Sequence, residues 1–197
     1  RITMICSDPD RLADFYQAAL GCERTGAASI AEPAFAALTG IPGATARIIT
    51  LRLGGQDVEL TGVRPPGQGY PRRVSGRSPL FQHFAIVVSD MAAAYARLSA
   101  HGGCTAISTA GPQVLPVSSG GVTAYKFRDP DGHPLELIAF ARGATPRKWQ
   151  TASVTACLGI DHSAVSVADT ERSVKFYQRL GLRRAGIQRR LDHARGD

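Results

Sequence analysis

The chain has 197 residues, of which 44% are hydrophobic, and a formal net charge of +7. This composition is typical of a globular protein with a packed core, and the length allows one large domain or two small ones. No apolar run approaches the ~18 residues of a membrane-spanning helix and no signal-peptide pattern opens the chain, so the expected location is the cytoplasm without a membrane partner.

The basic excess is concentrated in two segments, a Pro/Gly-rich stretch at 64–77 and the tail from residue 183. Neither segment interleaves aromatic residues for base stacking, and neither carries a recognisable nucleic-acid motif. We interpret both as solvated and expect no nucleic-acid partner. The four cysteines form no C-x-x-C pair and are predicted to be reduced, mostly buried thiols.

The first predicted unit covers residues 1–63. A short apolar strand at 2–6 precedes Asp8, whose carboxylate can cap a helix. Apolar residues then recur with a helical period and end at Gly21, which suits a helix C-terminus. An alternating strand at 46–53, a Gly-Gly turn and a strand at 57–60 predict a hairpin. The order is a strand, a helix and a meander of about three strands, βαβββ.

The same pattern returns about 80 residues later, in a second predicted unit at 80–141 with strands at 84–88, 123–127 and 134–138. A third copy at 159–197 has a strand at 164–167 and a helix with the aromatic pair and glycine of the first copy, but no hairpin. Residues 64–79 and 142–158 are predicted linkers. The missing hairpin is explained by a longer parent protein, by another chain that completes the unit, or by a poorly ordered tail. We expect the first, with four copies in two pairs, and Arg1 in place of an initial Met indicates a trimmed N-terminus.

Three residues stand out on the predicted strands. Glu59 and Glu136 each lie between two apolar residues, and His83 opens the first strand of the second unit. Because strand side chains alternate between faces, each Glu points away from the helix-packed layer. Two curved sheets side by side would bring these polar side chains together in one concave site. A Glu flanked by leucines is also ordinary on a solvated sheet face, and His133 in the turn at 129–133 is expected to be an exposed loop residue.

The chain resembles the vicinal oxygen chelate superfamily of glyoxalase I, extradiol dioxygenases and bleomycin-resistance proteins. The resemblance rests on residues 81–90 with His83, on residues 129–137 with Glu136, and on residues 159–169 with His162; both histidines lie seven residues before the capping Asp. It implies an α+β, glyoxalase-like fold in which paired βαβββ modules form curved, mostly antiparallel sheets. It also implies one site for each pair of modules, with a His or Gln from each first strand and a Glu from each last strand.

Arg1 departs from this pattern, because it stands seven residues before Asp8, where the first ligand is expected. A guanidinium has no lone pair for a metal. The resemblance therefore implies a set of Glu59, His83 and Glu136 for a divalent Fe, Mn, Ni, Zn or Mg ion, with His162 as a further ligand. Glu59 or Glu136 would also be the catalytic base, and Arg1 is a candidate to bind an anionic group of the substrate.

Three hypotheses for function remain open. The first is a metal-dependent enzyme of glyoxalase or dioxygenase type, in which the ion chelates two neighbouring oxygens of a small-molecule substrate and stabilises the charge that develops. The second is a metal-free protein of the same fold that binds a small, antibiotic-like molecule. In the third, the first two units are a scaffold, and the site belongs to the third unit and a missing partner unit, with His162 as a ligand. A homodimer is the candidate assembly.

Overall fold

The computed structural model describes residues 1–71, 74, 78–80, 82–117, 120–150 and 155–187. The first unit forms a four-stranded sheet in the order β1-β4-β3-β2, with β1 parallel to β4 and the other pairs antiparallel. Its elements are β1 (Ile2–Cys6), α1 (Pro9–Phe15), a π-helical segment (Tyr16–Leu20), β2 (Glu23–Ile30), α2 (Ala34–Thr39), β3 (Thr45–Leu53) and β4 (Gln56–Arg64).

The second and third units share one sheet, in the order β10-β5-β9-β8-β6, with β7 beside β8. The third unit's strand, β10, pairs antiparallel with β5, and β5 runs parallel to β9. The elements are β5 (Gln82–Val88), α3 (Met91–His101), β6 (Thr105–Ala106), β7 (Gln113–Val114), β8 (Thr123–Arg128), β9 (Pro134–Ala139), a 3₁₀ turn (Arg147–Trp149), β10 (Cys157–Val165) and α4 (Thr170–Arg179). The predicted α+β class with mostly antiparallel sheets is confirmed, although β10 begins inside the predicted linker.

The helices begin where the sequence predicts. The carboxylates of Asp8, Asp90 and Asp169 each accept a hydrogen bond from the backbone N–H three residues later, which satisfies a donor that the first turn leaves free. The first helix departs from its prediction at Tyr16, where it widens into the π-helical segment before ending at Gly21. The apolar period does not distinguish the two helical forms.

One continuous hydrophobic core contains residues from both sheets, from α1 with its π-helical segment, and from α3. Tyr16, Leu12 and Leu98 are fully buried in it. The side chain of Arg97 on α3 donates to the carbonyl oxygens of Gln17 and Ala18 in the π-helical segment. The helical segments of the first and second units are therefore in contact with each other.

Within the described residues, the helix of the third unit is much more exposed than its counterpart in the first unit. Tyr16 is 0% exposed, whereas Tyr177 at the equivalent position of α4 is 39% exposed and Phe176 beside it is 58% exposed. In the first unit, β3 and β4 pack against α1. Of the third unit, the structure describes β10, α4 and the residues that follow to 187.

All four cysteines, which lie in the described ranges, are free thiols, and Cys6, Cys22 and Cys157 are buried, as predicted. Burial is the main cause that raises the pKa of Cys6 to about 12, and the nearby carboxylates of Asp131, Asp129 and Asp8 add to it. This thiol therefore stays protonated. In the described part of the chain no helix combines the length and apolar character needed to cross a membrane.

Gly54, in the turn between β3 and β4, lies against the backbone of β10. Its φ is +58°, and a Cβ there would lie 2.0 Å from the carbonyl oxygen of Leu158. Gly54→Ala is expected to cost the ~1–2 kcal/mol of left-handed backbone strain plus a further ~1–3 kcal/mol from overpacking. Gly40→Ala is the matched control, because its φ is +68° and nothing lies within 4 Å. Chemical denaturation measures both, and equal losses would contradict the close contact.

Candidate metal site

The outer face of the second sheet carries a cluster of polar side chains on three adjacent strands. Phe84, Leu135 and Leu137 lie in the main core, so the residues that alternate with them point to the opposite face. In the register, Glu136 on β9 lies beside Ala85 on β5 and opposite Lys126 on β8. This arrangement places the side chains of His83, Lys126 and Glu136 next to one another.

Three atoms of this cluster form a close triangle. The Nε2 atom of His83 lies 3.0 Å from Oε2 of Glu136, and the ammonium of Lys126 lies 2.7 Å from the same oxygen and 3.1 Å from the same nitrogen. The side chain of Glu136 is only 7% exposed and that of His83 is 11% exposed. A buried carboxylate without partners is strongly disfavoured, and here it has two.

Glu136 is held in its charged form. Burial by itself would raise its pKa, but the hydrogen bonds from His83 and Lys126, together with their charges, hold the pKa of Glu136 below its usual value. The carboxylate is therefore ionised at neutral pH and available as an anionic ligand or as a base.

His162 on β10 approaches the same cluster from the other side of β5. It lies opposite Ala85 in the register, and its ring centroid is 6.0 Å from that of His83. One ligand atom from each of His83, Glu136 and His162 lies within 4.8 Å of the other two. The side chain of His162 is 45% exposed, and its Nδ1 lies 3.1 Å from Oδ2 of Asp161.

These three residues fit a divalent ion by their chemistry. Two imidazoles and one carboxylate with open positions are a common set for transition metals such as Fe²⁺. The 3.0 Å between Nε2 of His83 and Oε2 of Glu136 also matches two adjacent ligands that each lie about 2.1 Å from one octahedral ion.

Glu59 occupies the equivalent place in the first sheet but has different partners. Glu59 pairs with Thr3, as Glu136 pairs with Ala85. Arg1 is two residues before Thr3 and His83 is two residues before Ala85, so Arg1 occupies the position equivalent to His83. The guanidinium of Arg1 lies 3.0 Å from Glu59 and 3.6 Å from Asp57, and the Thr3 hydroxyl donates to Glu59. Among the described residues, the group that could hold a metal does not include Glu59. The guanidinium of Arg1 is already paired with the carboxylates of Asp57 and Glu59.

Sequence reasoning missed Lys126. Its position could nevertheless be inferred, because Lys126 and Glu136 each lie five residues from Asp131, the centre of the turn at 129–133, and a hairpin pairs such residues across its strands.

The prediction of His133 as an exposed loop residue is wrong, because its side chain is only 13% exposed. Its Nδ1 lies 2.9 Å from Oδ2 of Asp129 and its Nε2 lies 3.0 Å from the carbonyl oxygen of Ile5. The buried hydroxyl of Tyr16 donates to the same carboxylate oxygen of Asp129 at 3.1 Å. This network joins the turn of the second unit to β1 and the first helix.

A cavity of about 430 Å³ lies between β1 and the strands β5 and β10. Its volume is within the range of small-molecule sites. The lining is mainly apolar and includes Met4, Tyr70, Phe84, His83 and His133. The cavity therefore reaches one ligand candidate, His83, from the side of the first unit.

The sequence profile of the Glyoxalase/Bleomycin resistance protein/Dioxygenase superfamily matches residues 1–137. Lactoylglutathione lyase GLX1 of Arabidopsis thaliana is 35% identical over 104 residues, which cover 52% of this chain and only 30% of that protein. A glyoxalase family protein from Bacillus cereus shares the fold with a TM-score of 0.59 at 17% identity, over 71% of this chain and 91% of that one. The chain belongs to the glyoxalase, bleomycin resistance protein and dioxygenase superfamily, the vicinal oxygen chelate proteins.

Proposed function

We propose that His83, Glu136 and His162 bind a divalent metal ion in an enzyme that acts on neighbouring oxygens of a small-molecule substrate. The observation that carries the proposal is the convergence of two imidazoles and one carboxylate, from three strands and two units, within 4.8 Å. This site differs from the set of Glu59, His83 and Glu136 that the sequence favours, because His162 takes the place of Glu59. It shares His162 with the third hypothesis, but its other two candidate ligands lie in the second unit.

The chain's own residues would supply binding, orientation and a base. Glu136 stays ionised because His83 and Lys126 stabilise its charge, so it can take a proton from carbon or oxygen of a bound substrate. Lys126, whose side chain is 32% exposed, can turn toward an anionic substrate group. When bound, the metal ion would supply Lewis-acid polarisation of the substrate oxygens.

One side of the site is apolar. On the same face, a second apolar cluster contains Ala85, Val87 and Leu158, with Phe140 and Trp149 packed against it. Charges interact more strongly beside such a low-dielectric wall. The similarity to lactoylglutathione lyase makes that reaction the first to assay, and oxygen-dependent ring cleavage of a diol is the alternative within the enzyme class.

One observation favours the second candidate, a metal-free binding protein. The ammonium of Lys126 already makes the contacts to Glu136 and His83 that a bound cation would make. The buried carboxylate is thereby neutralised without a metal. The apolar wall and Lys126 would then hold an anionic small molecule.

Metal titration of chelator-treated protein separates the two candidates. We expect one Mn²⁺, Ni²⁺ or Zn²⁺ per chain by isothermal titration calorimetry, and a higher unfolding temperature with the ion present. If the protein takes up less than stoichiometric metal and a small anionic ligand stabilises it equally in EDTA, the binding-protein candidate stands instead.

Lys126→Met is expected to strengthen metal binding. The substitution keeps an apolar stem of similar length and removes the ammonium that competes for Oε2 of Glu136 and Nε2 of His83. A hydrogen bond between charged groups contributes ~1.5–3 kcal/mol, so a gain of roughly 10- to 100-fold in affinity is expected in the same titration. A weaker affinity would mean that Lys126 supports the bound ion rather than competing with it.

A further inference from the structure

The strand that carries His162 contains a bulge at the site. Along β10, Ile160 pairs with Ile86 and His162 pairs with Ala85, so two steps on β10 match one step on β5 and Asp161 is the extra residue. In a regular strand, neighbouring side chains lie on opposite faces. A bulge re-aims them, and here the side chains of Asp161 and His162 lie in contact at 3.1 Å.

The first unit holds this bulge in place. The carboxamide of Gln56, at the start of β4, donates to the carbonyl oxygen of Ile160 at 2.7 Å and accepts from its backbone N–H. A bulge leaves ladder groups without their regular partners, and a side-chain amide can satisfy both. The first unit therefore contributes to the shape of a site whose candidate ligands all lie in the other two units.

The carboxylate of Asp161 is fixed at both oxygens. Its Oδ1 accepts from the ammonium of Lys148 at 2.9 Å and from Nε1 of Trp149 at 3.2 Å, while its Oδ2 faces Nδ1 of His162. Trp149 is itself packed against the apolar cluster on the site's face. The carboxylate therefore cannot turn away from His162 without breaking two other hydrogen bonds.

We propose that Asp161 is the positioning residue for His162, set by the bulge and held by Trp149 and Lys148. A carboxylate accepts but does not donate, so its partner Nδ1 carries the proton and the lone pair of the neutral ring is on Nε2. Such outer carboxylates orient ligand histidines and raise their basicity. The inference rests on the proposed function in one respect, that His162 binds the metal through Nε2.

The tautomer of His162 tests the inference without any metal. Long-range ¹H–¹⁵N correlation spectra of the chelator-treated protein, at a pH that keeps the ring neutral, are expected to show the proton on Nδ1. In Asp161→Ala the population should move to the Nε2–H form. A predominantly Nε2–H ring in the unchanged protein, or the same tautomer in both, overturns the proposal.

Metal titration of the same proteins separates this inference from the proposed function. Asp161→Ala is expected to weaken metal binding ~10- to 100-fold, and Asp161→Asn, which retains an acceptor oxygen, should recover part of that loss. Asp14→Ala, on the exposed face of α1, is the matched control and should bind as the unchanged protein does. Full metal affinity in Asp161→Ala would overturn the positioning role of Asp161 but leave the proposed metal site intact. If the unchanged protein binds no metal, the proposed function is wrong, and the tautomer experiment alone decides the positioning role.

Discussion

Glu136→Gln is expected to lower the metal affinity by more than the ~100-fold that loss of an outer-sphere partner can cause. The substitution removes the only anionic donor of the group formed by His83, Glu136 and His162 in the described structure, and a neutral amide is a poor substitute for a carboxylate on a divalent ion. Isothermal titration of chelator-treated protein measures the change. Activity toward any substrate that requires the metal should fall with it.

Glu59→Gln is the matched control for this experiment. Glu59 has the equivalent position in the first sheet, but Arg1 and Thr3 engage its carboxylate. Its substitution should leave the metal affinity unchanged. If Glu59→Gln loses metal and Glu136→Gln retains it, the site belongs to the first pair of units and the present assignment is wrong.

Asp129→Asn is expected to cost about 3 kcal/mol of the free energy of unfolding. The Asp129 side chain is fully buried and accepts from Tyr16 and from His133, and removal of one partner from a buried charged pair is among the most destabilising single changes. Chemical denaturation measures the loss. Asp10→Asn is the control, since Asp10 pairs with Arg24 and Arg47 at the surface and exposed pairs contribute little.

The destabilisation should depend on pH in one direction. Burial lowers the pKa of His133, but the hydrogen bond and charge of Asp129 outweigh it and raise that pKa above 6.5. A raised histidine pKa stabilises the fold fully below the unfolded value of about 6.5 and loses this contribution as pH rises through the folded value. The difference between the unchanged protein and Asp129→Asn is therefore expected to be larger near pH 6 than near pH 9, and the reverse order would contradict a charged His133.

The repeated fold could be predicted because its signals are local. An Asp before an apolar helical stripe and Gly-containing turns between alternating residues determine elements within a few residues, and Asp8, Asp90 and Asp169 cap helices as expected. The short helix at Ala34–Thr39 and the π-helical segment were missed, because six or fewer residues give too weak a periodic signal.

The site could be predicted only in part. His83 and Glu136 follow from strand alternation and from resemblance to the family, and the structure brings their side chains together. Local sequence does not indicate which unit places its first strand beside β5, because this pairing is tertiary. In the structure β10 pairs with β5, and this pairing brings His162 rather than Glu59 to the cluster. The bulge that turns Asp161 toward His162 depends on Gln56, about 100 residues away, and has no local signature.

Anomalous diffraction from crystals saturated with Zn²⁺ or Mn²⁺ would locate the metal ion. We expect one strong peak within bonding distance of the side chains of His83, Glu136 and His162, with Lys126 displaced from its contact with Glu136. A peak bonded to Glu59 instead, or metal-saturated crystals with no peak at these three side chains, would contradict it.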